Sequence, residues 1–460
     1  MYLRDYQEQA VRNLREAYKD HRSVLFQLAT GGGKTIIAAY ILRSAAEKGN
    51  TSWFICHRRE LINQAFDRFE EFGLQPGIIA SGYPETDSLI KICSIQTLVR
   101  RINKLTPPDF IVFDECHHIN SQTWARVYDF ASKAKCLGLT ATPCRLDGKG
   151  LGDYFSILIR GPLMTDLMGR GYLTRYKLYA PTVPDMAGIR TLGGDYNKQD
   201  LDKMLEKSQL VGDTVEHYKK ICAGKKAIIF CASVKHSKLV VDAFIKAGIL
   251  ASHVDGTVDN IARDYIINQF KQGHIQVLSN VDLFGEGFDV PSAEVAILLR
   301  PTKSLGLYLQ QFGRVLRPSP GKTKAIILDH AGNCLRHGIP EDLNDWSLEG
   351  AKWNKAKQKQ LTAAIRRCLE CFIIVEWHHK ECPNCKAVFP VRSTVPDHVD
   401  GELTEAELNA IRMHKKHAQN KAHDIVELVK LGIERGYKNP YYWAKKVMEN
   451  RWKKKYKTKY

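Results

Sequence analysis

Ser23-Val-Leu-Phe-Gln-Leu-Ala-Thr-Gly-Gly-Gly-Lys-Thr35 is the stretch that decides the fold. An apolar run, a triple glycine and a Lys-Thr pair leading into an amphipathic segment predict a buried strand, a tight turn and a helix over Lys34–Glu47. The spacing has a chemical reason. Glycines let backbone N–H groups turn toward phosphate oxygens with no Cβ in the way, and the helix N-terminus adds its positive end. Lys34 would place a point charge on the β- and γ-phosphates, and the Thr35 hydroxyl would hold Mg²⁺. Thr30, Gly31, Gly32 and Gly33 are the expected cradle. The usual pattern, GxxxxGK[ST], wants glycine where this chain has Leu28, so the strict form fails by one residue. A glycine turn of purely structural use has no need of Lys-Thr at the helix start.

Further along, Phe110-Ile-Val-Phe-Asp-Glu-Cys-His117 ends an apolar strand in two adjacent acids. Strand-end acids that merely cap a turn are common. Beside a phosphate loop the pair suits hydrolysis, in which Asp114 would bind Mg²⁺ through water and Glu115 would orient and deprotonate the attacking water. Around these segments short apolar runs alternate with amphipathic stretches. SVLFQL, WFIC, IKICS, FIVFD and CLGLT read as strands, with a second helix over Glu60–Phe72. AIIFC, QVLSN, VAILL and AIILD repeat the pattern, with helices over Lys235–Ala247, Asn260–Lys271 and Ser304–Val315. Near-continuous apolar strands alternating with helices predict parallel sheets covered on both faces, and the pattern occurs twice. The expected division is 1–165 for the first α/β domain and 166–205 for a connector. Then follow 206–345 for the second domain, 346–365 for a basic connector, 366–392 for a cysteine module and 393–460 for a helical basic tail. The prolines and glycines of PTVPDMAGIRTLGGDYNKQD mark the expected boundary. Helices are expected over Thr404–Gly432 and Pro440–Lys453.

A length of 460 residues suggests about three units. A hydrophobic share of 44% with 26% charged residues is ordinary globular composition. No run reaches the roughly 18 apolar residues of a membrane span, and the N-terminus lacks a signal-peptide core, so an intracellular, cytoplasmic protein with no membrane partner is expected. The formal charge of +18 suits a polyanion. It is uneven: Lys445–Tyr460 holds eight basic residues against one acidic, interleaved with Trp452, Tyr456 and Tyr460. Four of the twelve cysteines form Cys368-x2-Cys371-x10-Cys382-x2-Cys385. Two CxxC knuckles can supply four thiolates to a tetrahedral Zn²⁺, which would then contribute the folding energy of a module too small for its own core. Two disulfides would be the alternative, at odds with a reducing compartment.

Taken together the segments resemble the superfamily 2 helicases, from Leu3 to about Leu348. Asp114–His117 (DECH) looks like their motif II and Thr140-Ala-Thr142 like motif III. Leu3-Arg-Asp-Tyr-Gln7 sits where the family reads adenine, which implies Gln7, with Arg4, as the base contact. CHRRELINQ (Cys56–Gln64) resembles motif Ia, Ser94-Ile-Gln-Thr97 motif Ib, Asn280–Pro291 motif V, and Gln310-Gln-Phe-Gly-Arg-Val-Leu-Arg317 motif VI. HRREL, the GFDVP run and LRPSPGKTKAIILDHAGN look closest to the branch of XPB and the type III restriction helicases, which includes many phage-encoded helicases. The resemblance implies two RecA-like domains in tandem, followed by a zinc ribbon and the helical tail. ATP, Mg²⁺ and Zn²⁺ are the implied cofactors. Arg314 and Arg317, on one face of a helix, would reach the γ-phosphate across a cleft, Gln310 would position water or phosphate, and Gly287 and Asp289 would link nucleotide to nucleic acid. Phosphate contacts to a nucleic-acid strand are implied for Arg58, Arg59, Gln96, Thr97 and Ser233, with His253 and Gly256 beside them. The implied activity is ATP-driven unwinding or remodelling of single-stranded, forked or branched DNA by a monomer, with replication or recombination partners, in the host cytoplasm or nucleoid if the gene is a phage's. The alternatives are a duplex translocase in a restriction complex, an RNA helicase, and a nucleotide-dependent switch.

Overall fold

The computed structural model describes residues 2–84, 86–119, 121–145, 150–181, 183–206, 210–283, 290–342, 346–349, 364–389, 422, 424–435, 437 and 439–457. The chain divides into two units, Met1–Phe389 and Pro390–Tyr460.

The first unit holds two lobes. In the N-terminal lobe, β1 (Ser23–Gln27), β2 (Ser52–Cys56), β3 (Gly77–Ile79), β4 (Ile90–Ser94), β5 (Phe110–Asp114), β6 (Lys135–Thr140) and β7 (Ile157–Arg160) form one sheet. Its order is β3-β4-β2-β5-β6-β1-β7, and every pairing is parallel. β2 and β5 are buried at every residue, as a parallel sheet covered on both faces requires. The second lobe is built on β8 (Tyr176–Tyr179), β11 (Ala227–Phe230), β12 (Ala251–Val254), β13 (Val277–Asn280), β14 (Val295–Leu298) and β15 (Ala325–Asp329), after a small antiparallel ribbon of β9 (Thr191–Leu192) and β10 (Asp195–Tyr196). Its order is β12-β13-β11-β14-β15-β8, again all parallel. One apolar cluster runs from Val24 and Ile37 of the first lobe to Ile228 and Phe312 of the second, so the lobes share buried surface.

The nine strand-like runs named above all form strands, while β3, β7, β8 and β12 are additional. Those four are only three or four residues long, which leaves little alternation to read. β8 corrects the expected connector: Tyr176–Tyr179 lies inside 166–205 yet forms the edge of the second sheet, so the chain crosses between sheets before the Pro/Gly-rich stretch rather than within it. The helix expected over Ser304–Val315 ends at Gly313, ahead of Pro318 and Pro320.

In the cysteine module β16 (Ile365–Arg367) pairs antiparallel with β17 (Ile374–Glu376), and the first CxxC knuckle makes the turn between them. The module packs on the second lobe. Tyr179 of β8 bridges to Ile373, Ala180 N–H donates to the Phe372 carbonyl at 2.9 Å, and Cys368, Val375 and Phe389 share a core with Val215, Tyr218 and Leu328.

The second unit contains helices Ile425–Glu434 and Pro440–Lys457, packed through Leu428, Ala444 and Val447. Most of the helix expected over Thr404–Gly432 lies outside the described residues. Among the described residues no helix is long and apolar enough to cross a membrane.

Gly138 in the middle of β6 shows how tightly the first sheet is covered. A Cβ there would collide with the Phe155 ring and come within 2.9 Å of the Cys116 sulfur. Gly138→Ala should destabilise the protein by about 1–3 kcal/mol, read as a lower urea midpoint, because a filled core resists one extra methyl.

Candidate functional site

The phosphate loop adopts the shape its glycines permit. Gly31 and Gly33 have φ of 85° and 86°, and Gly33 is the N-cap of the helix Lys34–Ala46. A Cβ on Gly33 would lie 2.5 Å from Gln7 Nε2, and one on Gly32 2.7 Å from Leu28 Cγ. Lys34, 9% exposed, points its Nζ to within 3.8 Å of Glu115 Oε1 and 3.4 Å of the Leu28 carbonyl. Asp114 closes β5, and Glu115 beyond it takes a left-handed backbone with φ 48°. A non-glycine residue rarely adopts that conformation and carries a modest strain where it does. His117 lies 3.5 Å from Glu115 Oε2 and 3.3 Å from Thr140 Oγ1, and Thr140 donates in turn to the Thr142 carbonyl at 3.0 Å. The expected motifs II and III are therefore joined side chain to side chain.

The second lobe meets this loop directly. A Cβ on Gly313 would lie 2.5 Å from Thr30 Cβ, so only glycine lets the helix Leu305–Gly313 approach so far. Arg314 and Arg317 follow. Both line one cavity of about 510 Å³ together with Thr30, Gly31, Gly33, Lys34, Thr35, Asp114 and Glu115. The arginine pair reaches the cleft from the turn after the helix rather than from a helical face, because the helix stops at Gly313. Gln310 departs from its expected place: it is 5% exposed, one turn back on that helix, and does not line the cavity.

At the other end of the cavity stand Arg4 and Tyr172, with the Arg4 guanidinium 4.6 Å from the centre of the Tyr172 ring. Gln7 accepts from Arg4 N–H at 3.0 Å through Oε1, while its Nε2 is buried against Gly33 with no protein partner. An orphaned buried donor beside a glycine-walled loop, a lysine, two carboxylates and two arginines fit a Mg²⁺-bound nucleoside triphosphate. Thr35 and Asp114 are the residues that would hold the metal. Gly287 and Asp289 lie outside the described residues.

The expected nucleic-acid contacts divide. Arg59 and Gln96 are exposed and Thr97 is half-buried, with Gln96 Nε2 donating to the His57 carbonyl at 3.0 Å. Arg58 instead donates across the cleft to the carbonyls of Asp282 (2.7 Å) and Leu283 (3.1 Å). The Ser233 hydroxyl caps a helix by accepting from His236 N–H at 3.3 Å. The His253 ring is engaged within the protein: Nδ1 meets Ser237 Oγ at 2.6 Å, Nε2 meets Asp255 Oδ2 at 3.0 Å, and the side chain is 10% exposed. Burial would raise the Asp255 carboxyl, but hydrogen bonds from Thr257 and His253 hold it down to about 2. His253 is thus a support for the loop that carries Gly256. Two further residues serve the cleft: Tyr172 lines the nucleotide cavity, and Arg263 holds the loop that carries Gly256. Neither sits in a motif; the nearest hint is a lone aromatic in GRGYL for the first, and none exists for the second, which meets its partner from 203 residues away.

In the cysteine module the four Sγ atoms all lie within 4.8 Å of one another, with Cys368–Cys385 at 3.5 Å and Cys371–Cys382 at 3.6 Å. These separations exceed a disulfide bond of roughly 2.05 Å and approach the roughly 3.8 Å between corners of a tetrahedron with 2.3 Å zinc–sulfur bonds. Against the burial that would raise it, backbone N–H groups of Cys385 and Asn384 draw the Cys382 thiol down to about 7. The donor set fits zinc, and the same four residues would hold it.

Two RecA-like lobes with a phosphate loop on one and paired arginines from the other define a nucleic-acid-motor type of nucleoside triphosphatase. Residues 1–145 match the family described as type III restriction enzyme, res subunit, and residues 207–319 the helicase conserved C-terminal domain. A 51.5 kDa protein of a Lactococcus phage (isolate 7-9) is 36% identical over 369 residues, 80% of this chain and 75% of that protein. The DNA 3'-5' translocase XPB2 of Sulfurisphaera tokodaii is 26% identical over 359 residues, 68% of this chain and 78% of that protein. Three further curated relatives are longer, and the chain spans 49–59% of their length. Among solved structures, the ATP-dependent Type ISP restriction-modification enzyme LlaBIII bound to DNA superposes with a TM-score of 0.54 at 18% identity, over 71% of this chain and 28% of that one. The chain belongs to the superfamily 2 helicases, in the branch of XPB and the type III restriction helicases.

The cradle makes a direct prediction. Gly33→Ala should weaken nucleotide binding by at least ~10-fold, measured with a fluorescent ATP analogue, because a methyl there displaces Gln7 and strains a left-handed backbone.

Proposed function

We propose that this protein is an ATP-dependent DNA helicase or translocase that couples hydrolysis between its lobes to movement along DNA, separating or remodelling forked or branched substrates. The observation that carries the reading is the single cavity lined by Lys34, Asp114 and Glu115 from one lobe and Arg314 and Arg317 from the other. A nucleotide held by the first lobe alone has Lys34 beside its phosphates but no arginine on the facing side of the γ-phosphate. When the lobes close, Arg314 and Arg317 neutralise the charge that builds there, and Glu115 orients and deprotonates the attacking water. Thr35 and Asp114 would hold Mg²⁺, which would supply positive charge to the phosphate oxygens. Because half the machinery comes from each lobe, turnover is tied to closure, and reopening moves the protein along its track.

DNA as the track is supported by the net charge of +18, by the relative named a DNA translocase and by the similar enzyme bound to DNA. Arg59, Gln96 and Thr97 remain the strand contacts this reading favours, and Gly287 and Asp289 keep their assigned link between nucleotide and DNA. A second reading, a duplex translocase in a restriction complex, is favoured by the match to a restriction-enzyme family and by the Type ISP neighbour. Cys368, Cys371, Cys382 and Cys385 would hold zinc, which would brace the second lobe through the core that Cys368 and Cys382 share with Leu328.

ATPase rate measured alone and with single-stranded DNA, duplex, a fork and RNA should rise most with DNA; a rate indifferent to all four sinks the motor. Displacement of a labelled strand from a fork separates unwinding from duplex translocation. Glu115→Gln should keep nucleotide affinity while turnover falls ~10²–10⁴-fold, and Arg314→Ala should cost about 10³–10⁵-fold. Metal analysis should find one zinc per chain, and a chelator or Cys371→Ser should lower the melting temperature; an intact melt after zinc loss removes the brace.

A further inference from the structure

The first-lobe helix Arg59–Glu71 opens with two residues that reach over to the second lobe. Arg58, its N-cap, grips the Asp282 and Leu283 carbonyls as described above. Glu60, in its first turn, accepts from Arg263 Nη1 at 2.6 Å. Arg263 is 8% exposed, and its Nη2 donates to the Val258 carbonyl at 2.9 Å. One guanidinium therefore holds a first-lobe carboxylate and a second-lobe loop at once. That loop is bonded to itself: Asp255 accepts from Thr257 N–H and Oγ1, both at 2.7 Å, and from Val258 N–H at 3.2 Å. It follows β12, and Asp282 and Leu283 follow β13, so both gripped loops leave the C-terminal ends of neighbouring strands. Asp282 is itself constrained, with φ 53° and its carboxylate held between Arg300 and Lys198.

The two helices joined by this pair also wall the nucleotide cavity. Gln64, Arg68 and Glu71 line it from the first-lobe helix, and Lys271 lines it from the far end of Arg263's own helix, Asn260–Gln272. The pair spans the two lobes, so parting them at this point must break it.

We propose that Glu60 and Arg263 are positioning residues whose ion pair draws the lobes together and ties loop 255–258, beside the proposed DNA path, to closure over the nucleotide. The proposal rests on the helicase reading. It predicts that a strand gripping both lobes compensates for a missing pair, which separates it from a direct role in hydrolysis.

The test uses the full chain as wild type, Glu60→Gln, Arg263→Met and the double variant, with dyes on the outer surfaces of the lobes. Each single variant should show less closure with a non-hydrolysable ATP analogue in the absence of DNA. Each should also need ~10-fold more of a single-stranded oligodeoxynucleotide for half-maximal ATPase, with kcat at saturating DNA within about twofold. The double variant should be no worse than the worse single, since the residues act through each other. Unchanged closure in the single variants, additive losses in the double, or a lost kcat at saturating DNA overturns the pair. Should Arg263→Met fail to fold, Glu60→Gln, whose side chain is 31% exposed, decides on closure alone. A wild-type rate indifferent to DNA sinks the helicase reading instead, while the closure measurement still judges the pair.

Discussion

The approach of Gly313 to Thr30 is the contact on which the rest of the molecule depends. With no side chain at 313, the end of a second-lobe helix comes to rest on the phosphate loop, and Arg314 and Arg317 follow close behind it in the chain. Any larger residue there would hold the lobes apart and leave Arg314 and Arg317 out of reach of a shared nucleotide. A glycine inside QQFGR is thus a statement about the distance between two domains. Thr142 repeats the idea nearby, since Gly306 leaves room for its hydroxyl at 3.2 Å from where a Cβ would stand.

Charge is concentrated where that contact leaves a gap. Lys34, Asp114, Glu115 and Arg314 are each less than one-tenth exposed, and a cluster of buried charges is stable only when opposite signs face each other. Lys34 and Glu115 do so across 3.8 Å. The left-handed backbone of Glu115 belongs to the same arrangement. β5 is buried along its whole length and a tight turn follows, so the acid is fixed by structure on both sides and the strain is held in place. His117, Thr140 and Thr142 then connect this acid to the face of the second lobe.

The cysteine module extends the second lobe rather than hanging from it. Its hairpin bridges to β8, the sheet's edge strand, and its cysteines share a core with that sheet. An uncovered edge strand invites pairing with other chains, and a hairpin laid against it removes the hazard. Arg366 adds to the seal, its guanidinium 4.0 Å from the Phe389 ring and 5.0 Å from that of Trp377.

What the sequence determined by itself was whatever depends on local pattern. Apolar runs flanked by turn residues specify the central strands of both sheets, since a strand buried on both faces must be apolar throughout. GGGKT, DE and CxxC are legible because phosphate, metal and thiolate chemistry demand particular atoms a few bonds apart. Tertiary structure decided what depends on distance through space. The edge strands β3, β7, β8 and β12 are stabilised by their neighbours more than by their own composition. Gln310, Ser233 and His253 carry side chains able to serve a site, yet packing turned them into buried or capping groups. Glu60 and Arg263 are ordinary charged residues 203 positions apart, and only the folding of two sheets onto one cleft makes them partners.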